Sequence, residues 1–290
     1  MYFACLQDKR TIMKLDIGKK EMDIAVSTDF YVCPSCRETM RLQAQALSCS
    51  KCGRAYPLFN DTPEFISGDL HRSSDPALRR MRFIDKMAKI YETQLWYTLV
   101  MKLYGGIHSP TLRQLVVDIS DLLRGVDGQI LDVACGPGTF GRRVASESKK
   151  VWGVDVSRGM LEQGKTYAVR EGIRNVHFAR ARVESLPFSN GVFNAAICCG
   201  SLHLFTDTVV ALREIGRVMK PGGTLAVFTF TAGLEGILKY PKVREWSRRK
   251  HGLHVFSLPE VEQCLSATGF GNFRPKVTGS VLEFCATKVV

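Results

Sequence analysis

Two aspartates each end an apolar run of the chain, and the first is followed by a glycine-rich turn. Asp132 closes the apolar part of "QILDVAC", and Asp155 closes that of "KVWGVDV", 23 positions later. In an open parallel sheet, ligands bind beyond the carboxyl ends of the strands. The turn "ACGPGTF" lies there, and Gly136 and Gly138 let a ligand approach the backbone closely. These residues predict a ligand site with two carboxylates.

The turn has two interpretations. Gly136, Gly138 and Gly141 fit the G-x-G-x-x-G dinucleotide pattern, with acidic Asp155 after the next strand. A carboxylate at Asp132, however, suits a cation better than a pyrophosphate. The amino group and sulfonium of S-adenosylmethionine are such cations, and opposite charges a few ångström apart attract by about 1 kcal/mol in water and more in a drier site. Asp155 would accept both ribose hydroxyls of that cofactor.

Four of the ten cysteines form two C-x-x-C pairs, Cys33/Cys36 and Cys49/Cys52, with twelve residues between them. Four thiolates from two tight turns suit tetrahedral zinc. A disulfide framework would be unusual in a chain of this length without a signal peptide. We therefore expect a structural Zn²⁺; the alternative is four unligated thiols. The other six cysteines are scattered, mostly in apolar surroundings, and Cys135, Cys198 and Cys199 are expected to be small core residues rather than reactive thiols.

Alternating strands and helices must position these residues. We expect strands at "QILDVAC", "KVWGVDV", "VHFARA", "NAAICCG" and "TLAVFTF", with helices at about 140–147, 159–171 and 208–220. This alternation indicates an α/β fold with a parallel sheet covered on both faces. After a further helix at about 259–268, "FRPKVTG" and "LEFCATK" are predicted to form a hairpin.

The chain divides into four expected regions. Residues 1–30 remain unassigned, and residues 31–66 form a small β-rich zinc ribbon. Residues 67–110 are a helical linker, with a helix predicted from Met81 to about Leu103, and residues 111–290 form the large domain. In the linker, Tyr91, Trp96 and Tyr97 form either an apolar cover over the site or ordinary helix packing.

Composition sets outer bounds on function. The 290 residues are 45% apolar and 23% charged, with a net charge of +12. No apolar run reaches the ~18–20 residues that span a bilayer, so no transmembrane segment is expected. The first residues contain too short an apolar stretch for a secretory signal, and we expect a cytoplasmic protein. The positive charge favours anionic partners: nucleic acid, anionic lipid surfaces or acidic metabolites.

Several stretches in succession resemble the signatures of class I S-adenosylmethionine-dependent methyltransferases. They are "LDVACGPGTF", "VWGVDVSRGML", "ESLPFSNGVFNAAICCGSLHLFTD" and "LREIGRVMKPGGTLAVF". The resemblance covers residues 110–290 and is closest to the branch with quinone, lipid and small-molecule methyltransferases. It implies a Rossmann-like fold, a mostly parallel seven-stranded sheet with a C-terminal antiparallel hairpin, preceded here by the zinc ribbon.

The resemblance implies a role for each matching position. The cofactor-binding residues are expected to be Asp132, Ala134, Cys135, Gly136, Gly138, Asp155, Val156, Met160, Arg182, Val183, Cys199 and Gly200. Asp132, Gly136 and Gly138 would line the methionine part, Asp155 would bind the ribose, and Met160 would lie beside the adenine. Arg182 departs from the family, which usually has an aspartate there near the adenine amino group.

Methyl transfer from a sulfonium needs alignment of nucleophile, methyl carbon and sulfur, and sometimes removal of a proton. His203, in "SLHLF" after the fourth strand, is the first candidate base, because the unperturbed pKa of histidine is about 6.5. Its alternative role is a structural histidine that caps the loop. His254 precedes a helix that in such enzymes often borders the substrate, and is the second candidate.

Three functions remain open. A small-molecule methyltransferase is favoured, because the Asn-Pro-Pro-Tyr loop of many amino-directed nucleic-acid methyltransferases is absent after the fourth strand. An RNA methyltransferase is the alternative, since a zinc ribbon also precedes the catalytic domain in a family that methylates a guanine of large-subunit ribosomal RNA. The third is a non-catalytic, methyltransferase-like binding module. Neither the acceptor nor the oligomeric state follows from the sequence.

Overall fold

The computed structural model describes residues 30–66, 85, 87–233 and 235–289. Of the regions expected from sequence, the unassigned first segment up to residue 29 and the linker from 67 to 84 lie outside the described residues.

The N-terminal module is a small antiparallel sheet. Its four strands are β1 (Met40–Gln43), β2 (Ala46–Cys49), β3 (Ala55–Phe59) and β4 (Thr62–Pro63), in that order. The strands are short, and one hydrophobic side chain, Leu47, is fully buried at their centre. So small a sheet has little core of its own, which explains why its other buried side chains pack against the large domain.

The large domain is built on a seven-stranded sheet. Its strands are β5 (Gly128–Val133), β6 (Lys149–Asp155), β7 (Val176–Arg180), β8 (Phe193–Cys199), β9 (Met219–Phe230), β10 (Phe270–Thr278) and β11 (Val281–Lys288). The spatial order is β10-β11-β9-β8-β5-β6-β7. β5 to β9 pair in parallel, and β11 pairs antiparallel with both β9 and β10. The predicted fold class, including the C-terminal hairpin, is confirmed.

Helices cover both faces of this sheet. They are α1 (Gln94–Val100), α2 (Leu112–Leu122), α3 (Thr139–Val144), α4 (Arg158–Arg170), α5 (Thr208–Val218), α6 (Pro241–His251) and α7 (Leu258–Ser266). The central strands are apolar on both sides, as buried parallel strands are: Ile130 and Leu131 point to opposite faces and both have no exposed surface. Because of this arrangement, the carboxyl ends of β5, β6 and β8 lie at one edge.

Helix α6 was not predicted from the sequence. Five of its eleven residues are Lys or Arg, so it has no clear apolar stripe. Its ends nevertheless carry recognisable signals. Pro241 occupies its first turn, and Gly252 ends it with a left-handed φ of 62°.

The helix predicted from Met81 to Leu103 differs from the observed structure in its described part. Residues 88–92 form turns, and α1 begins only at Gln94, followed by a π-helical turn at Met101–Gly105. Thr93 has an extended backbone, and its side-chain oxygen accepts a hydrogen bond from Trp96 N at 3.4 Å. A threonine N-cap inside an apolar periodic run therefore divides the segment in two.

Candidate cofactor cleft and metal site

A cleft opens where β5, β6 and β8 end, with open space of about 850 Å³. The predicted cofactor residues that line it are Ala134, Gly136, Asp155, Val156, Met160, Arg182, Val183, Cys199 and Gly200. Residues from four separate stretches of the chain thus meet at one site, at the edge of the sheet where ligands of open α/β folds bind.

Asp155 anchors the glycine turn. Its Oδ2 accepts a hydrogen bond from Gly136 N at 2.8 Å, and its Oδ1 accepts one from Ser157 N at 2.8 Å. Burial raises the pKa of Asp155 above its usual value, and the hydrogen bonds from Ser157 and Gly136 oppose that rise. Each carboxylate oxygen keeps a further lone pair. Asp155 can therefore accept hydroxyl groups of a ligand while it holds the turn.

Three predicted cofactor residues are not among those that line the cleft: Asp132, Cys135 and Gly138. Asp132 is only 2% exposed, and its Oδ2 accepts a hydrogen bond from Gly141 N at 3.0 Å. Burial raises the pKa of Asp132 to about 8. The structure therefore places this carboxylate beneath the turn, bonded to its backbone, and a role beside the methionine part of the cofactor stays a prediction.

Gly138 and Cys135 belong to the turn itself and have structural roles there. Gly138 precedes the first residue of α3 with a left-handed φ of 72°, and a Cβ there would lie 3.0 Å from the Phe178 ring. Cys135 is 9% exposed, with a thiol whose pKa burial raises well above the usual value. A thiol in that state is a poor nucleophile, so Cys135 packs rather than reacts.

Arg182 and Glu184 lie at the end of the cleft formed by the segment after β7. Arg182 Nε donates to Glu184 Oε2 at 3.3 Å, and both side chains line the cleft. The family's aspartate is missing at Arg182, but Glu184 supplies a carboxylate two positions later. Glu184 lies within the motif "ESLPF" but was not predicted as a site residue.

The segment before α1 covers the glycine turn. Tyr91 lines the cleft, and burial, helped by Asp155 and Glu92, raises the pKa of Tyr91 to about 12. The neighbouring Glu92 contacts both Thr139 and Arg142 of α3. The Arg142 side chain has no exposed surface and also pairs with Glu171 at 2.5 Å. A buried ion network therefore fastens the cover to the helix that follows the turn.

The two candidate bases do not line this cleft. His203 is 4% exposed, its Nδ1 lies 3.0 Å from Thr229 Oγ1, and its ring packs 5.1 Å from that of Phe230. His254 is exposed and lines a second, adjacent cleft of about 1210 Å³. The two clefts share Phe205 and Thr206.

The four predicted metal ligands converge. The sulfur atoms of Cys33, Cys36, Cys49 and Cys52 all lie within 4.8 Å of one another. Cys33 and Cys52 are separated by 3.7 Å, and Cys36 and Cys49 by 3.4 Å. Four sulfurs at the usual Zn–S distance of about 2.3 Å are about 3.8 Å apart in a tetrahedron, so the spacing fits one zinc ion.

The first cysteine knuckle touches the segment that borders the cleft. Val32 N donates to Pro187 O at 3.0 Å, and Ser185 Oγ donates to Pro34 O at 3.3 Å. These contacts tie the knuckle to residues 183–188, whose first two residues line the cleft.

Arg37 adds two contacts between the first cysteine knuckle and the large domain, although its backbone adopts an unfavourable left-handed conformation. Its Nη1 donates to Leu186 O at 2.7 Å, and its Nη2 pairs with Glu214 at 2.8 Å. Arg37 follows Cys36 with a left-handed φ of 61°, where the second knuckle has Gly53 at 67°. A non-glycine residue pays of order 1 kcal/mol for that conformation, which the guanidinium contacts offset.

Comparison with known proteins identifies the large domain. Residues 130–223 match a family described as "Methyltransferase domain". Solved methyltransferases share its fold, among them the Haemonchus contortus phosphoethanolamine N-methyltransferase 2 in complex with S-adenosyl-L-methionine. That match has a TM-score of 0.56 at 17% identity, covering 72% of this chain and 60% of that one. The matched residues, 130–223, therefore carry a methyltransferase domain.

Several curated proteins resemble the chain over this methyltransferase domain or beyond it. The "Uncharacterized methyltransferase At2g41040, chloroplastic" of Arabidopsis thaliana is 25% identical over 95% of this chain and 83% of its own length. The Haemophilus ducreyi "Ubiquinone/menaquinone biosynthesis C-methyltransferase UbiE" is 32% identical, covering 43% of this chain. The chain covers 49% of the length of that relative.

The Bacillus subtilis protein YcgJ is 33% identical over 48% of this chain and 55% of its own length. Its crystal structure covers 61% of this chain and 98% of that one, with a TM-score of 0.52. The expected enzyme class, an S-adenosylmethionine-dependent methyltransferase, is thereby confirmed.

Some residues of the methyltransferase cleft escaped the sequence analysis. They are Val154, Ala181, Glu184, Leu204, Phe205 and Thr206. Val154 lies near the end of β6 and Ala181 directly follows β7, so both could have been predicted from the rule that ligands bind at strand ends. Glu184 and Leu204 lie in short 3-10 turns and Phe205 and Thr206 in the following loop, where no periodicity marks them.

Two observations concern the location of the protein. Among the described residues, no helix is both long and apolar enough to cross a membrane. The Arabidopsis relative is named as chloroplastic, and the cytoplasmic location stays a prediction.

Proposed function

We propose that this chain transfers a methyl group from S-adenosylmethionine to a small-molecule acceptor. The observation that carries the proposal is the cleft of about 850 Å³ at the strand ends, in which Asp155 is fixed by the backbone of the glycine turn. When bound, the cofactor supplies an electrophilic methyl group on a sulfonium cation.

The residues of the cleft fit that cofactor by chemistry. Asp155 retains lone pairs for the two ribose hydroxyls. Val156 and Met160 offer apolar surface to the adenine, and Glu184 offers a carboxylate to its amino group. At the other end, the bare backbone at Gly136 leaves room for the methionine part: a Cβ there would meet only the Tyr91 ring, at 3.9 Å. Asp132 contributes indirectly, by holding Gly141 and the turn.

The acceptor is proposed to enter beside Leu204, Phe205 and Thr206, which line the cleft together with Tyr91. Three of these four side chains are apolar or aromatic, which favours a quinone-like or lipid-like molecule over a polar one. Two UbiE relatives support the same class, since they are named as quinone-biosynthesis C-methyltransferases. We assign His203 a structural role, holding the loop through Thr229, and leave His254 as a candidate contact in the adjacent cleft.

The N-terminal module is proposed to hold one structural zinc ion on Cys33, Cys36, Cys49 and Cys52. Elemental analysis of the purified protein should give about one zinc per chain. The double substitution Cys33→Ser/Cys52→Ser should abolish it, whereas Cys285→Ser, a thiol outside the cluster, should not. A folded protein with no zinc in the wild type would contradict this assignment.

The function is tested by incubating the protein with methyl-labelled S-adenosylmethionine and a cell extract, then separating RNA, lipid and small metabolites. Label in the lipid or small-metabolite fraction supports the proposal. Label in RNA supports the alternative that the zinc module and the basic surface recognise nucleic acid, and RNA binding should then weaken steeply with salt. Cofactor binding without any labelled product would indicate the non-catalytic alternative.

A further inference from the structure

The segment that covers the glycine turn continues into α1 and the π-helical turn, and residues 91–105 are called the cover below. A stripe of exposed aliphatic side chains runs along its outer side. Leu95 is 81% exposed, Leu99 59% and Leu103 44%, at intervals of four residues through α1 and the π-helical turn. Ile107, 74% exposed, continues the stripe just beyond the turn. Single exposed leucines are ordinary, but a contiguous apolar surface of this kind marks an interaction site.

The same helix has an inner side that is already used. The Tyr97 hydroxyl is buried, and burial raises the pKa of Tyr97 well above its usual value. Tyr91, just before α1, lines the cleft. The helix therefore presents its aromatic side to the protein and its leucines outward, and no described residue covers those leucines.

A strongly cationic helix follows a segment that packs on the end of the stripe. The backbone carbonyls of Leu103 and Tyr104 pack so closely on Gly236 that a side chain there would clash, with the Tyr104 oxygen 2.3 Å from its Cβ position. From that junction the chain passes through Ile237–Lys239 into α6. Helix α6 carries five Lys or Arg residues and one acidic residue, Glu245.

Helix α6 also exposes aromatic surface. Trp246 is 50% exposed, and Tyr240, just before the helix, is 53% exposed. The Lys239 ammonium lies 5.0 Å from the centre of the Tyr240 ring, and the Lys250 ammonium lies 5.2 Å from the centre of the Trp246 ring. Tyrosine and tryptophan flanked by lysine are the residues that favour the boundary between lipid headgroups and acyl chains.

We propose that the leucine stripe and helix α6, together called the cover surface, dock this protein on an anionic lipid bilayer. Stable peripheral attachment takes two signals, apolar insertion and electrostatic attraction. The stripe supplies the first and α6 the second. Cationic side chains near an anionic leaflet each contribute to binding. RNA would use the cations but gains little from exposed Leu95 and Leu99.

Docking in this orientation turns the cover toward the bilayer. The inner side of the cover borders the cleft through Tyr91, so an acceptor dissolved in the membrane would reach the cleft without crossing bulk water. The docking itself does not depend on methyl transfer, and the two proposals can fail separately.

Vesicle flotation tests the apolar half of the surface. The wild-type protein should float with vesicles that contain phosphatidylglycerol and much less with pure phosphatidylcholine, and binding should decrease as salt increases. Leu95→Glu/Leu99→Glu should weaken binding at least about tenfold, because two inserted side chains are lost and charge is added. The matched control Val117→Glu/Val169→Glu changes two exposed valines of α2 and α4 by the same charge and should leave more of the binding intact.

Charge reversal tests the cationic half. Lys242→Glu/Arg249→Glu on α6 should reduce binding to anionic vesicles by about tenfold or more. Arg124→Glu/Lys150→Glu makes the same charge change at the amino end of the strands and should have a clearly smaller effect. Equal losses in all four variants would overturn the proposal, since net charge alone would then explain binding.

Two other results would also overturn the proposal. One is the absence of wild-type binding to any anionic vesicle. The other is a dimer, measured by light scattering, that only Leu95→Glu/Leu99→Glu dissociates while vesicle binding is unaffected. In that case a second copy of the chain covers the stripe. All variants should retain the thermal unfolding transition and S-adenosylhomocysteine affinity of the wild type.

Discussion

Replacing Asp155 with asparagine removes one charge from the cleft with little change in volume. In the structure both carboxylate oxygens accept backbone hydrogen bonds at 2.8 Å, from Gly136 N and Ser157 N. Asparagine has one accepting oxygen, so one of these two buried N–H groups would face an NH₂ group. Leaving a buried donor unpaired costs about 1–3 kcal/mol. The turn should therefore loosen even before a ligand is considered.

The loss of affinity can be estimated from the same contacts. A hydrogen bond to a charged acceptor is worth about 1 kcal/mol more than one to a neutral acceptor. The hydrogen bonds from the two ribose hydroxyls would therefore weaken by about 2 kcal/mol in total. The loosened glycine turn would reduce the binding free energy by about 1 kcal/mol more. Together, about 3 kcal/mol corresponds to a roughly 150-fold increase in the Kd of the cofactor.

Calorimetry with S-adenosylhomocysteine measures this without turnover. Asp155→Asn should show the weakened affinity, whereas Asp127→Asn, an exposed aspartate before β5, should bind as the wild type does. Thermal unfolding of each variant verifies that it is folded. A folded Asp155→Asn protein with unchanged Kd would refute the assignment of Asp155 to the cofactor.

Three further substitutions test the supports of the cleft. Arg142→Met leaves Glu92 and Glu171 without their cation and should lower the free energy of unfolding in urea by about 3 kcal/mol; a change within about 0.5 kcal/mol, the usual range for surface positions, would contradict the buried network. Arg37→Met should raise the Kd for S-adenosylhomocysteine several-fold at unchanged zinc content, whereas Arg41→Met on β1 should not; equal affinities would show that the knuckle does not position the cleft. Burial raises the pKa of Asp132 to about 8, against about 4 for an unfolded aspartate. The stabilisation from the neutral form is therefore fully present below about pH 4 and is lost as pH rises toward 8. Relative to wild type, Asp132→Asn should gain stability as pH rises from about 5 to 8 and change little above that, and a flat difference would contradict that protonation.

The sequence predicted the parts of the fold that depend on local patterns. Apolar strands separated by helices, the glycine turn and the paired cysteines all correspond to observed elements. It failed where a local signal was weak or conflicting. Thr93 interrupts an apolar period and divides a predicted helix, and basic α6 has no apolar stripe to reveal it.

The site was predictable as a location but less so in its detailed roles. Asp155 ends a strand, and strand ends line the cleft. Asp132 ends a neighbouring strand, but its side chain is directed beneath the turn, toward Gly141. His203 is adjacent to cleft residues in sequence but buried against Phe230. Side-chain direction within a loop depends on tertiary packing, which the spacing of residues does not encode.

The most direct test of the proposed cofactor site is a crystal structure of the protein with S-adenosylhomocysteine. We expect the ribose hydroxyls at hydrogen-bond distance from Asp155, the adenine between Met160 and Val183, and the homocysteine part over Gly136. A ligand bound elsewhere, or a cleft that takes up a nicotinamide dinucleotide and leaves S-adenosylhomocysteine unbound, would contradict it.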